Sequence, residues 1–365
     1  MQFTIQYWVF GLIFAIIVPR FLEVMLIMSD TKKMAVVLAN LGTPDKPDAR
    51  SVKRYLKEFL SDARVVEGKG LRRLLWLSVL NGIILNLRPR RVAKLYASIW
   101  EDDSPMRKIL NDQVTELQLR LQQVNQNAPT VVSAMTYGSP GLTMRLNELA
   151  EHGYERILVI PMYPQYSATT TAPIYDQIAK FQSSRRNVLD IRIVKSFYDH
   201  PEYIKALAGS VKGHYEKHGE ADKLVLSYHG IPKEYADKGD PYPVQCHATS
   251  HALTQYLGLG DDQWITTFQS RFGPAEWMQP YTDKTLEALP KAGVKSVNII
   301  CPAFTADCLE TLEEISEENK EVFLHAGGQS YHYIPALNSA PCFIKVLECL
   351  VKEQASDWLQ SAEEE

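Results

Sequence analysis

Short runs of β-branched and aliphatic residues alternate along the chain with longer segments whose apolar positions recur every three to four residues. The runs Ala35–Ala39, Thr130–Ala134, Arg156–Ile160, Ile191–Val194, Lys223–Tyr228, Trp264–Phe268, Ser296–Cys301 and Glu321–Leu324 predict strands. Between them, Asp48–Leu60, Met106–Gln123, Pro201–Lys217 and Tyr281–Leu289 predict amphipathic helices. Strands alternating with helices form parallel sheets covered by helices on both faces. With four strands in each half, the pattern divides into an apolar N-terminal extension (1–33), a first α/β domain (34–205), a second (206–338), and a C-terminal helix with an acidic tail (339–365).

The two halves echo each other. The first strand of each runs into a related turn, Asn40-Leu41-Gly42-Thr43-Pro44 and Tyr228-His229-Gly230-Ile231-Pro232, with Gly42 and Gly230, like Pro44 and Pro232, 188 residues apart. The second strands lead to Tyr137-Gly138-Ser139-Pro140 and Phe272-Gly273-Pro274, and the third to Ile160-Pro161 and Cys301-Pro302. Matching turns after matching strands suggest an internal duplication. Open parallel sheets bind ligands beyond the carboxyl ends of their strands, so the loops after strands one, two and three of each half are expected to line a cleft.

Two apolar segments complicate the picture. Trp8–Val18 is nearly all apolar but ends at Pro19-Arg20, too short for a bilayer, which takes about 20 residues. It reads as a surface anchor or, more simply, as an over-extended start to a protein organised from about Met34. Leu71–Leu87 reads either as an exposed apolar lip or as an ordinary buried helix.

Composition narrows the function. Charged residues are 22 % of the chain and the net charge is −4, with no long basic block, so nucleic acid is excluded as the expected partner. The five cysteines form no C-x-x-C pair, which argues against a disulfide framework or a four-thiolate zinc site and for a reducing, cytoplasmic compartment.

The expected cleft holds a small set of reactive groups. His229 stands at the carboxyl end of a strand where the first half has Leu41, and imidazole is the side chain that titrates unperturbed near neutral pH. After the third strand of the second half, Glu310, Glu314 and Glu318 recur every four residues and share one helix face, with Asp307 or Thr305 as candidate N-cap. The face is either solvated or a carboxylate ladder that binds a cation or passes protons. The first half adds Pro161-Met162-Tyr163-Pro164-Gln165-Tyr166-Ser167, a rigid aromatic loop suited to a flat ligand.

At these residues the sequence closely resembles the ferrochelatase family. The matching segments are Leu38–Pro44, Tyr55–Val66, Pro161–Ser167, Phe197–Ile204, Leu226–Pro232, Gly239–Cys246, Phe268–Trp277 and Cys301–Glu314, in order over most of the chain. The resemblance implies two Rossmann-like domains with a porphyrin cleft between them, and insertion of Fe²⁺, a substrate, into protoporphyrin IX. It implies His229 and Glu310 as the facing catalytic and metal-binding pair, Glu314 and Glu318 as the relay for protons or metal, and Leu41, Tyr166 and Ser167 as porphyrin contacts. It also leaves open a peripheral contact at the inner membrane face.

Some features separate this chain from relatives. Asp102-Asp103 precedes Ser104-Pro105 where many have Gly-Gly, and Thr136 stands where many have Arg. Only Cys342 and Cys349 lie near the C-terminus, too few for the [2Fe–2S] cluster that some ferrochelatases carry. Competing functions are coproporphyrin metallation, cobalt insertion into a corrin precursor and non-enzymatic tetrapyrrole carriage. A cobalt chelatase typically offers more site histidines than His229 alone, and a carrier needs no His–Glu pair. The cysteine distribution makes a direct prediction: the purified protein shows no visible absorption from an iron–sulfur cluster before haem is added, whereas two acid-labile sulfides per chain would refute it.

Overall fold

The computed structural model describes residues 33–124 and 127–360; the apolar runs Trp8–Val18 and Phe21–Met28 and the acidic tail lie outside them. Among the described residues, eight parallel strands are arranged in two sheets: β1 (Lys33–Thr43), β2 (Thr130–Gly138), β3 (Tyr154–Pro161) and β4 (Asp190–Ile193) in the order β2-β1-β3-β4, and β5 (Lys223–His229), β6 (Trp264–Gln269), β7 (Ser296–Ile300) and β8 (Ser330–Ile334) in the order β6-β5-β7-β8. Both sheets have the same topology, as a duplication requires. The near-continuous burial of Ala35–Ala39 and of Leu224–Tyr228 reflects helices on both faces of each sheet.

The helices fall where the apolar periodicity places them. Asp48 caps the first, Ala49–Leu60, accepting from the amides of Arg50 and Ser51 at 2.8 and 2.9 Å. One predicted strand is wrong. Glu321–Leu324 lies in the helix Asn319–His325, and the fourth strand of the second sheet is β8, further along. Four residues with two or three apolar positions carry no period that separates strand from helix. Here the chain is already helical from Glu310, and Phe323 is buried by continuing that helix.

The paired turns have a steric origin. A Cβ on Gly42 would stand 1.7 Å from the Tyr137 carbonyl oxygen, and one on Gly230 would stand 2.9 Å from that of Gln269. In each half, the chain leaving strand one passes too close to the end of strand two for any side chain. The second pair of turns needs correction. The counterpart of Pro140 is Pro280, not Pro274: the Met135 amide donates to the Pro140 carbonyl at 2.7 Å and the Phe268 amide to that of Pro280 at 2.8 Å. Residues 270–278 are extra loop in the second half, and they lie at the expected cleft.

The halves share one hydrophobic core. Val36, Leu38 and Leu158 of the first sheet and Leu224, Leu226 and Ile300 of the second belong to a single buried cluster with Leu117, Leu207, Val211 and Leu347 from three long helices. Helix Pro201–His218 runs through the expected boundary at residues 205–206, so it is itself the connector. Helix Pro341–Gln360 returns from the second half to pack on helix Pro105–Val124 and β3.

This return is secured by charge. Glu348, 3 % exposed, is met by Arg120, by Lys345 at 3.1 Å and by Lys352 at 2.6 Å. Burial raises its pKa, but the hydrogen bonds from Lys352, Arg120 and Lys345 outweigh that and hold it at about 2. The unfolded carboxyl titrates near 4.3. A depressed folded pKa stabilises the fold above the unfolded value, and that stability is lost as pH falls through about 5 towards 2. Glu348→Gln therefore lowers Tm at pH 7, and the gap to the wild-type protein narrows by pH 3; a constant gap in a pH series of thermal melts would refute the assignment.

Candidate functional site

The carboxyl ends of β1, β5, β6 and β7 bring the candidate residues to one side of the sheets. His229 ends β5 and pairs in register with Gln269, which ends β6. The His229 Nδ1 lies 2.7 Å from the Gly230 carbonyl. A carbonyl only accepts, so Nδ1 carries the proton and donates, and in the neutral ring Nε2 keeps a free lone pair for a proton or a metal.

After β7 the chain turns through Cys301–Leu309 and enters a helix of i→i+5 bonds, Glu310–Glu318. Such wide turns are rare and are often found at functional sites. Neither Asp307 nor Thr305 caps this helix. Asp307 is buried and accepts from the hydroxyls of Thr311 and Tyr333 and from the Asn338 carboxamide, at 2.9, 2.6 and 2.8 Å. The Thr305 hydroxyl donates to the Met162 carbonyl at 2.9 Å, tying the loop to the first half. These bonds brace the helix start from outside, and Glu310 follows directly.

Of the three helix carboxylates, Glu310 and Glu314 are partly buried and Glu318 is exposed. Glu310 is half-buried and lines a narrow pocket with Leu41, Thr43, Tyr55, Tyr96, Ser104 and Cys308. Burial holds the Tyr55, Tyr96 and Cys308 protons well above their usual range, and the Glu310 carboxylate reinforces each. Neutral donors therefore surround one wall of Glu310. Glu314 is more enclosed. Burial raises its pKa first, Glu310 adds to the rise, and the Ser270 hydrogen bonds and the His229 charge oppose it. Thus His229, Glu310 and Glu314 form one electrostatic group. Glu318 is exposed beyond it, beside Glu313. A solvated face describes Glu318 and not Glu314.

Gln269 and Ser270 were not among the residues expected from the sequence, although they follow strand two of the second half, where a cleft residue belongs. The Gln269 carboxamide accepts from Ser227 at 2.8 Å and donates to the Glu310 carbonyl at 3.1 Å, while its own carbonyl accepts from the Gly230 amide at 2.7 Å. It thereby joins the turn carrying His229 to the helix carrying Glu310. Tyr55 and Tyr96 come from helices Ala49–Leu60 and Leu85–Ile99, and no strand-end rule could have selected them.

Tyr166 and Ser167 occupy a different corner. Ser167 is buried and its hydroxyl donates to Asp240 at 2.9 Å, which also accepts from the Ala168 amide at 2.8 Å. These bonds brace the loop against the second half. Tyr166 is half-buried with the Lys195 ammonium 5.1 Å from its ring centroid. The departures are absorbed locally. Asp103 pairs with Arg107 and accepts from the Ser104 amide at 2.7 Å, and the buried Thr136 hydroxyl donates to the Asn40 carbonyl at 3.2 Å.

Leu71–Leu87 forms neither a wholly buried helix nor a wholly exposed one. Leu80, Ile84 and Leu85 pack inward with Leu56, Leu60, Trp76 and Leu77. Leu71, Leu74, Ile83 and Leu87 are 54–72 % exposed.

Two paired parallel sheets carry an imidazole at a strand end and carboxylates on the helix that follows β7, the fold seen in solved chelatases. The fold is shared with SirB from Bacillus subtilis solved with Fe³⁺, at a TM-score of 0.53 and 13 % identity over 89 % of this chain and 97 % of that one. The sirohydrochlorin chelatase SirB from Bacillus subtilis subspecies spizizenii, in complex with cobalt, aligns at a TM-score of 0.52 and 12 % identity over 89 % of this chain and 96 % of that one. The Ferrochelatase family model matches residues 33–355. A ferrochelatase of a Psychrobacter species (strain PRwf-1) is 51 % identical over 91 % of this chain and 97 % of its own, and ferrochelatase 1 of Shewanella oneidensis is 50 % identical over 91 % and 99 %. The chain belongs to the ferrochelatase family and is an enzyme that inserts a metal into a porphyrin.

Proposed function

We propose that this enzyme delivers Fe²⁺ to protoporphyrin IX, with His229 taking the pyrrole protons and Glu310 facing it across the macrocycle. The observation that carries the reading is the His229 Nδ1 contact to its neighbouring carbonyl, which leaves Nε2 as the free base beside two carboxylates. Insertion exchanges two pyrrole N–H protons for one dication, so the site must hold the metal loosely and accept protons. Imidazole and carboxylate bind Fe²⁺ without the grip of a thiolate set. A placed base contributes about 10²- to 10⁴-fold in rate. Glu314 and Glu318 relay the released protons from this pair towards the surface, or metal in the opposite direction towards the pair. Iron is substrate only, and the enzyme works without an iron–sulfur cluster.

His229→Ala and Glu310→Gln each remove most of kcat while porphyrin binding persists, because affinity comes from apolar and aromatic walls and the rate from the polar pair. Fluorescence titration of porphyrin beside rates of iron or zinc insertion separates the two effects. Near-normal insertion by His229→Ala would overturn the assignment.

The exposed lip supports a peripheral membrane contact on the cytoplasmic side. Among the described residues no helix is long and apolar enough to cross a bilayer. The apolar positions Leu71, Leu74, Leu75, Val79, Ile83 and Leu87 are nevertheless exposed beside exposed Arg72, Arg90 and Arg91. Apolar burial and attraction to anionic headgroups act together on such a surface. Replacing Leu71, Leu74 and Leu87 by Ser is expected to reduce co-sedimentation with phosphatidylglycerol vesicles at least tenfold, and unchanged binding would refute the contact.

A further inference from the structure

Glu314 is the enclosed carboxylate of the site, and nothing in its own helix fixes where its oxygens point. The partners come from the end of β6. The Ser270 amide donates to one carboxylate oxygen at 2.9 Å, the Ser270 hydroxyl donates to the other, and the Gln269 carboxamide reaches that second oxygen at 3.4 Å. To aim both its donors at Glu314, Ser270 adopts φ +62°, in the left-handed region. That region is unfavourable for residues with a Cβ, and such conformations persist where surrounding structure imposes them. Glycine would relieve the conformation but lose the hydroxyl. The groups facing Glu314 from the packed elements are His229 at the end of β5, Cys301 after β7, Tyr331 on β8 and Glu310 on its own helix. None of these is a permanent cation, so orientation rests on neutral donors.

We infer that Ser270 is a positioning residue for metal insertion: its left-handed backbone and hydroxyl clamp the Glu314 carboxylate in the line from His229 and Glu310 towards solvent. This rests on the reading of Glu314 as the relay above. Gln269 supports the clamp from behind, since its other carboxamide atom is already held by Ser227. A hydrogen bond to a charged group is worth about 1.5–3 kcal/mol, or roughly ten- to a hundredfold in rate if it is needed in the transition state.

The test is a double-mutant cycle with two control variants. Ser270→Gly folds with an unfolding temperature at or above the wild-type value, loses about tenfold or more in kcat and keeps the porphyrin KM within about twofold. Ser270→Asn, which tolerates left-handed backbone and carries an N–H donor, recovers most of the rate. Glu314→Gln is at least as slow as Ser270→Gly, and Ser270→Gly/Glu314→Gln is no slower than Glu314→Gln alone, because the serine acts through the carboxylate. Losses that multiply, or a Ser270→Gly enzyme with wild-type kcat, would overturn the positioning role while leaving the relay intact. Wild-type kcat in Glu314→Gln would instead refute the relay, and the inference with it.

Discussion

Burial of apolar surface shared between the two sheets is the constraint from which the rest of the structure follows. Val36 and Leu38 of β1 and Leu224 and Leu226 of β5 lie in one cluster, sealed by Leu117, Leu207 and Leu347 from three long helices. Neither half can shed its partner without exposing that surface, at roughly 25 cal/mol for each Å². The carboxyl ends of both sheets are thereby held in a fixed relation, which a two-sided ligand site needs. Helix Pro341–Gln360 completes the arrangement. Glu348 holds it to Arg120, and Arg192 binds Asp357 through two bonds of 2.6 and 2.7 Å while stacking on Trp358.

On this frame, polar groups are placed by bonds that cross between elements. Gln269 joins the His229 turn to the Glu310 helix, Thr305 ties that helix's approach to Met162, and Ser167 meets Asp240 across the halves. Each is a buried side chain with its partner satisfied, as low-dielectric surroundings demand. The wide helix Glu310–Glu318 then carries its acids from the enclosed Glu310 and Glu314 to the exposed Glu318. Metal insertion asks for this separation: a dry end where a base can act on a porphyrin, and a wet end where protons or hydrated metal exchange with water.

The lip Leu71–Leu87 shows how one sequence segment serves two demands. Its apolar residues exceed what one buried face can use. Leu80, Ile84 and Leu85 anchor it, and the surplus, including Leu71 and Leu87, stays outside. A composition-level reading could not divide the segment, because burial depends on which helix lies beneath, and only the packing of Leu56 and Leu60 against it decides that.

The sequence alone determined the class of fold and most strand positions, since strong two- and four-residue periodicities reflect local geometry that tertiary contacts rarely override. The duplication was legible because close backbone approach tolerates only glycine at Gly42 and Gly230. His229 and Glu310 stood out as candidates because one falls at a strand end, the other opens the helix after β7, and both lie in long matching motifs. The tertiary structure decided what lacks a local signature. Glu321–Leu324 became helix because it continues the helix from Glu310, and Pro280 rather than Pro274 proved to be the counterpart of Pro140 because hydrogen bonds define equivalence. Ser167 braces its loop through Asp240 for the same reason that Gln269 and Ser270 entered the site. A polar side chain's role is set by the partner it meets across the fold, and that partner can lie anywhere in the sequence.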